Sequence, residues 1–460
     1  MANPLQLSRR SALKATLGTV ASSLCPGTVS RAIGFQSANA RPRIGVVGCG
    51  VRWDKRVYET DGRYGVGKEF PKYGDIVSVC DVDTIRLDRA KAIVKEWMGK
   101  TPRASTDYRK IIDDPKIDVV HISTPDHWHA KVAIEAMLAG KDVYCEKPMT
   151  LTIEEGQLVC EVCKKTNAIF QVGTQQRSTL QFVKAIALIQ EGRLGKLRRV
   201  QCAIGGAPTS PALPVTQPPR HLDWNQWLGP ASAAEYHFEG GAPNIIKSWS
   251  RGHYEFRWWY EYSGGKLTDW GAHHVDIATW GMGMTDSGPN TINPLLVEHP
   301  VDFRDGFPVT TNQYNTATKF NIKAIYPNNV ELIIRSDTDN GILFEGTRGR
   351  IFVNRGKLKG KPVEDLESNP LPDGAIERAY KNRKVTDHVA NFFDSVTSRK
   401  QPISDVFSHH RALTTCHLAG IAARVGREIQ RDPKTERIIN DSLAQSLVAR
   451  EKRDGFKIEM

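Results

Sequence analysis

Residues 43–50 read Arg43-Ile44-Gly45-Val46-Val47-Gly48-Cys49-Gly50. A short apolar run ends abruptly in glycines, which is how a buried strand enters a tight turn. Gly48 and Gly50 fit the first two glycines of G-x-G-x-x-G, with Val51 next in the turn. The first glycine permits the turn, and the second lets backbone approach a pyrophosphate at a helix N-terminus. The third position holds Trp53, which weakens the helix–strand packing part of this fingerprint. A second apolar run, Ile76–Cys80, is followed at once by Asp81. A carboxylate there accepts hydrogen bonds from a ribose hydroxyl and repels a 2′-phosphate, so NAD is favoured over NADP. Asp83 is the alternative acid. Asp61–Gly67 is a glycine-rich insertion that lengthens the gap between Gly48 and Asp81.

Working outward, further apolar runs occur at Ile117–Ile122, Val143–Cys145 and Ile169–Val172. Helical patterns lie between them. Leu87, Ala90, Val94 and Trp97 share one helix face, as do Ala130, Ala133, Ile134 and Met137. Gly140 sits where a left-handed helix cap is wanted, and Thr152 with Glu155 spells a capping box. Strands alternating with helices predict an α/β Rossmann domain on a parallel sheet over residues 41–165. From 166 to 460 the pattern predicts an α+β domain with a large, mostly antiparallel sheet. Hairpins are expected at 322–334 and 342–353, and helices dominate from His388 onward.

At 460 residues the chain is long enough for two to three domains, and 40% hydrophobic with 25% charged residues is ordinary for a globular protein. The formal net charge is +12, of which Arg9, Arg10, Lys14 and Arg31 supply four within the first 40 residues. The remaining basic residues are interleaved with acids, and nucleic-acid binding is not expected. Ser8-Arg9-Arg10, a weakly apolar stretch from Ala15 to Leu24 and Ala38-Asn39-Ala40 follow the order of an export signal of the twin-arginine kind. Residues 1–40 are therefore expected to be a signal peptide, and the location periplasmic or extracytoplasmic. The apolar stretch is too short for stable membrane insertion. Of eight cysteines, Cys160 and Cys163 form a C-x-x-C inside a predicted helix, with no second pair to complete a zinc site. Helix packing is their expected role.

Two segments that follow predicted strands are Ser123-Thr124-Pro125-Asp126-His127-Trp128-His129 and Tyr144-Cys145-Glu146-Lys147-Pro148. A third chemical segment is Asp269-Trp270-Gly271-Ala272-His273-His274-Val275-Asp276. On one continuous helix Asp269, His273 and Asp276 share a face. A histidine so flanked is held in one tautomer and can take a hydroxyl proton. His273 and His274 point about 100° apart on a helix, which disfavours a shared metal ion, and no metal is expected. In these motifs the chain resembles the Gfo/Idh/MocA oxidoreductases, the glucose–fructose oxidoreductase and inositol dehydrogenase family. The resemblance spans about residues 41–456. It implies a cofactor site that includes Thr124, Pro125, His129, Glu146 and Lys147. Lys147 would reach the reacting hydroxyl, with His273 as base and Asp269 as orienting carboxylate. It also implies that Gln175 and Arg177 border the substrate, that the open sheet makes a homo-oligomer (dimer or tetramer), and that the last helices return to the first domain.

Aromatic residues crowd the stretch before Asp269, and Tyr254 and Trp258 are picked from it as sugar contacts. The expected function is an exported oxidoreductase that moves hydride between a sugar carbinol carbon and tightly bound NAD(H). Redox-neutral glycoside cleavage through a transient keto-sugar is the second reading. A non-catalytic carbohydrate-binding protein is the third.

Overall fold

The computed structural model describes residues 41–54, 65–240 and 248–458. The expected signal segment and most of the 61–67 insertion lie outside them. Strands β1 (Arg43–Val47), β2 (Asp75–Cys80), β3 (Arg103–Ser105), β4 (Val119–Ile122), β5 (Asp142–Cys145) and β6 (Phe170–Val172) form one parallel sheet in the order 3-2-1-4-5-6. Every residue of β4, β5 and β6 is buried, as expected for a sheet covered on both faces. Strand β3 was not expected; it is a three-residue edge with two exposed side chains and no apolar run. Strand β6 lies past residue 165, so the parallel sheet extends into the stretch assigned to the second domain.

Helices α1 (Thr84–Met98), α2 (Arg109–Ile112), α3 (Asp126–Leu138) and α4 (Ile153–Thr166) connect these strands. Leu87, Ala90 and Val94 are buried along α1. Asp83, the alternative ribose ligand, caps α1 by accepting from the N–H groups of Ile85 and Arg86. Thr152 accepts from Glu155 N at the start of α4. The Glu155 carboxylate reaches Leu151 N rather than Thr152 N, so the box closes one residue early.

After α5 (Leu180–Gln190) comes β7 (Leu197–Ala203), then α6 (Trp224–Leu228), the short pair β8 (Phe238–Glu239) and β9 (Trp249–Ser250), α7 (Lys266–Asp269) and α8 (Gly271–Gly281). The strands β10 (Thr291–Glu298), β11 (Phe303–Arg304), β12 (Phe307–Pro308), β13 (Lys319–Ile325), β14 (Glu331–Arg335), β15 (Gly341–Gly346), β16 (Arg350–Val353) and β17 (Leu358–Lys359) follow. Last come α9 (Lys361–Glu364), α10 (Ala375–Ala379), α11 (His388–Ser398), α12 (Val406–Val425), β18 (Ile429–Arg431), β19 (Ile438–Ile439) and α13 (Ser442–Ser446). Nine strands make the second sheet, in the order 17-16-15-7-14-13-10-18-19, and only β7 and β14 pair in parallel. On β13 the buried Phe320, Ile322 and Ala324 alternate with more accessible residues, so one face is packed and the other open. Helix α12 packs against both α8 and α4, and Phe392 and Phe393 of α11 pack on Tyr144 and Phe70 beside the first sheet.

Candidate active site

The glycine turn forms as its residue types require. Gly48 has φ +86°, and a Cβ there would lie 2.6 Å from Thr124 N and 2.7 Å from the Ser123 carbonyl carbon. Its N–H donates to Cys80 O, and its carbonyl accepts from the Ser123 hydroxyl at 2.7 Å. Residues 51–53 make a turn closed by Trp53 N and Asp54 N on Gly50 O. Trp53 is fully buried against Trp97. A Cβ on Gly67 would strike the Trp53 indole at 2.4 Å, so a glycine of the insertion makes room for the bulky third position.

Beside this turn lies a cleft of about 1250 Å³ lined by Gly48, Gly50, Val51, Asp81, Thr124 and Pro125 on one side. The Asp81 carboxylate is pinned by Cys49 N at 2.8 Å and Asp83 N at 2.9 Å. Burial pushes its pKa up, while Arg86 and the two backbone donors oppose that. The buried Thr124 hydroxyl has no partner among the described residues. A left-handed glycine with no room for a Cβ, an oriented carboxylate and an unpartnered hydroxyl together fit a dinucleotide with a free ribose diol. His129 does not line the cleft. Its ring nitrogens face Pro148 O at 2.6 Å and Thr124 O at 2.9 Å, so it ties the Thr124 loop to the Pro148 loop. A Gly48→Ala variant puts a methyl into Ser123–Thr124 backbone at a positive φ. The expected cost is about 1–3 kcal/mol of strain, with NAD(H) retention falling at least about 10-fold. Isothermal titration of the variant with NADH checks this.

Glu146, Lys147 and Asp269 also line the cleft. Glu146 is clamped by Arg52 at 2.7 and 2.9 Å and accepts from Gln175 Nε2 at 3.2 Å. A Cβ on Gly173 would fall 2.7 Å from this carboxylate, so that glycine leaves it space. Gln175 also donates to the Tyr144 hydroxyl. It braces Glu146 and does not line the cleft, which departs from its expected role as a substrate contact. Lys147 Nζ donates to the Asp269 carboxylate and, at 2.9 Å, to the Asp269 carbonyl.

That second bond reshapes the segment expected to be one helix. Asp269 ends α7, Trp270 intervenes, and α8 starts at Gly271. His273 N donates to Trp270 O, not to Asp269 O, which Lys147 takes instead. The histidine is therefore not flanked by two carboxylates. Asp269 belongs to Lys147. Asp276 is fully buried in a bidentate pair with Arg177 (2.6 and 2.8 Å), with His409 Nδ1 3.4 Å away. Arg177 is thus a structural guanidinium, and its expected contact with substrate is corrected. Burial pushes the Asp269 carboxyl up, but Lys147 and Arg257 outweigh this and hold it well below the usual range. Burial, then the cations Lys147, Arg355 and Arg52, hold His273 well below its usual value, so the imidazole is neutral. Its buried Nδ1 has no partner among the described residues.

Of the aromatic picks, Tyr254 lines the cleft. Trp258 does not: it is buried behind the wall in a cluster with Leu213 and the cleft-lining Trp227, and its N–H donates to Glu255 at 2.6 Å. The cleft also uses residues that sequence patterns did not single out. Arg52 follows the glycine turn directly. Arg257 stacks 4.0 Å over Tyr254. Asp126 accepts from Ser263 at 2.6 Å, and burial pushes its carboxyl up to about 7 against the pull of Ser263 and Lys147.

Residues 42–174 match the Gfo/Idh/MocA model described as oxidoreductase family, NAD-binding Rossmann fold. Residues 209–458 match that family's C-terminal alpha/beta domain. A levoglucosan dehydrogenase of Pseudarthrobacter phenanthrenivorans is 42% identical over 94 residues, covering 20% of this chain and 24% of that protein. A glycosyl hydrolase family 109 protein of a Shewanella species is 27% identical over 165 residues, covering 35% of this chain and 34% of its own. The chain thus spans about a quarter to a third of the length of these curated relatives. A solved levoglucosan dehydrogenase, in complex with NADH and levoglucosan, has a TM-score of 0.56 at 18% identity. It covers 85% of this chain and 99% of its own. With both of its characteristic domains present along the described residues, the chain belongs to the Gfo/Idh/MocA oxidoreductase family.

Proposed function

We propose that this protein is an NAD-dependent oxidoreductase acting on a ring CH–OH of a carbohydrate. The observation that carries the reading is Lys147 anchored on Asp269 in the wall of a cleft that glycines also line, with a neutral, buried His273 behind that wall in the next turn. An ammonium has three N–H donors. Asp269 takes two, at its carbonyl and its carboxylate, which leaves the third for the substrate oxygen. Bound NAD supplies the acceptor for the carbinol hydrogen as hydride. His273 takes the hydroxyl proton, a role open to it because it is uncharged. Lys147 and Arg52 favour negative charge on the reacting oxygen. Asp81 receives the ribose and disfavours a 2′-phosphate. Sugar dehydrogenases among the relatives support the same reading.

The test is twofold. Native mass spectrometry of the purified chain should show bound NAD(H). Mixing with candidate sugars should then change its absorbance at the nicotinamide band. His273→Gln should lower that rate about 10²–10⁴-fold without loss of cofactor. Absence of bound cofactor, or full turnover by the variant, would sink the reading.

The family 109 glycosidase among the relatives favours a second reading, redox-neutral cleavage. Release of an aglycone without net NADH distinguishes it. Export by the twin-arginine route belongs to the proposal and rests on Arg9, Arg10 and the Ala38-Asn39-Ala40 site. A cofactor carried out in the folded protein has to be regenerated in place. Self-association through the open sheet face is supported by Leu295 and Leu296, about half exposed on β10.

A further inference from the structure

A second, shallower cleft of about 890 Å³ is lined in part by α7. Lys266 and Trp270 line it from that helix and the residue after it. Arg355 and Lys357 line it from the hairpin between β16 and β17, and Asn340 closes one side. It adjoins the reacting centre. Asp269 of the same helical turn lines the cofactor cleft, and the Trp270 ring stands 6.1 Å from that of His273.

Its lining carries three cations and no carboxylate. Among the described residues none of Lys266, Arg355 and Lys357 has a carboxylate within ion-pair distance, and Asp269 acts on Lys266 and Arg355 only from further off. Of the carboxylates nearby, Asp269 is paired with Lys147, Glu146 with Arg52 and Asp337 with Arg335, while the exposed Asp339 stands between the lining residues Thr338 and Asn340. The cations are also held in place. Asn354 Oδ1 accepts from Gly356 N at 2.9 Å and Lys357 N at 2.8 Å, while its amide donates to Asn340 O at 3.1 Å. The loop is therefore shaped before any ligand arrives. The Arg355 guanidinium lies 4.7 Å over the Trp270 ring. In the amide orientation that satisfies its neighbours, Gln176 accepts from Arg355 Nε at 3.2 Å. That leaves the two terminal nitrogens as a fork, the geometry that receives an oxyanion with two hydrogen bonds. In Lys266, burial outweighs the pull of Asp269. A surface that holds like charges together without counter-charge focuses an anionic ligand.

We propose that this cleft binds the anionic group of the substrate, so that the protein acts on sugars bearing a carboxylate or phosphate away from the oxidised carbon. The proposal rests on the oxidoreductase reading and names its substrate class. Arg355 grips the oxyanion, and Lys266 and Lys357 add charge at its sides. Trp270 and Asn340 face the ring.

The experiment measures binding of D-glucose, D-glucuronate and D-glucose 6-phosphate to the full chain carrying its NAD(H), by isothermal titration at low salt. At least one anionic sugar should bind about 5-fold or more tighter than glucose, and 0.3 M NaCl should shrink that preference. Whichever of the two binds tighter identifies the group. Arg355→Gln should cut the preference about 5-fold, and Lys357→Gln, an exposed side chain, about 2-fold. A smaller preference in the native protein, or one that survives both substitutions, overturns the proposal. Hydride transfer from glucose with no charge preference would overturn it while leaving the oxidoreductase reading intact. Glucuronate binding to a protein that never holds NAD(H) would do the reverse.

Discussion

Replacing Lys147 with methionine is expected to lower turnover by about 10³-fold while NAD(H) stays bound. The substitution keeps an unbranched side chain one heavy atom shorter and removes all three N–H donors. Three consequences follow in the site. The substrate oxygen loses its donor, and Asp269 loses the first of the three cations, Lys147, Arg257 and Lys266, that hold it ionised. The Asp269 carbonyl is also freed, because Lys147 is the group that takes it at 2.9 Å. Stopped-flow absorbance of the bound nicotinamide reads the rate, and native mass spectrometry reads the cofactor. Arginine at 147 should not restore the rate, since a planar fork cannot reach both Asp269 oxygens and the substrate from one point. Turnover within 10-fold of the native protein would show that the Lys147–Asp269 pair is structural. Loss of cofactor together with rate would move Lys147 to the dinucleotide.

Replacing Arg177 with methionine should be the most damaging change to stability. Arg177 and Asp276 are both buried, 1% and 0% exposed, and paired through two hydrogen bonds. Removing the guanidinium leaves a buried carboxylate with only His409 nearby, at a cost of about 3–5 kcal/mol. At about 2 °C per kcal/mol, the melting temperature should fall by about 5–10 °C. The pH dependence has a definite sign. In the native protein burial pushes the Asp276 carboxyl up, but Arg177 and His409 hold it down at about 2. Its contribution is therefore present above the ordinary carboxylate range of about 4 and is lost as pH falls through about 2. In the variant the carboxyl rises above its unfolded value. Stability lost at pH 7 should then be partly regained at pH 5, as the buried acid takes up a proton. Differential scanning calorimetry at the two pH values checks this. A variant with an unchanged melting temperature would place Arg177 outside the core.

Much of the fold was legible because its signals are local. The run Arg43–Val47 ending at Gly48, the buried stripe of Leu87, Ala90 and Val94, and the hairpin at 322–334 each depend on neighbours a few residues away. β3 escaped notice because an exposed three-residue edge needs no apolar run. The turn after Gly50 shows the same limit. Trp53 looked like a defect in the fingerprint, yet Gly67 yields it space from 14 positions on.

By itself, then, the sequence determined the dinucleotide fold, and it singled out Gly48, Gly50, Asp81, Lys147 and Asp269, which line the cleft, and His273, which does not. It could not determine which of them touch. Spacing argues from a continuous helix, and that helix is interrupted by a lysine 122 positions away that takes the Asp269 carbonyl. Asp276 is drawn from the histidine by an arginine 99 positions away. Hydrogen bonds and ion pairs of that range depend on how the chain is packed, because a buried charge is stable only against the partner that packing brings to it. Tertiary structure alone decided that His273 stands neutral among cations, that Arg177 belongs to the core, and that three unmatched positive charges face the cleft beside Trp270.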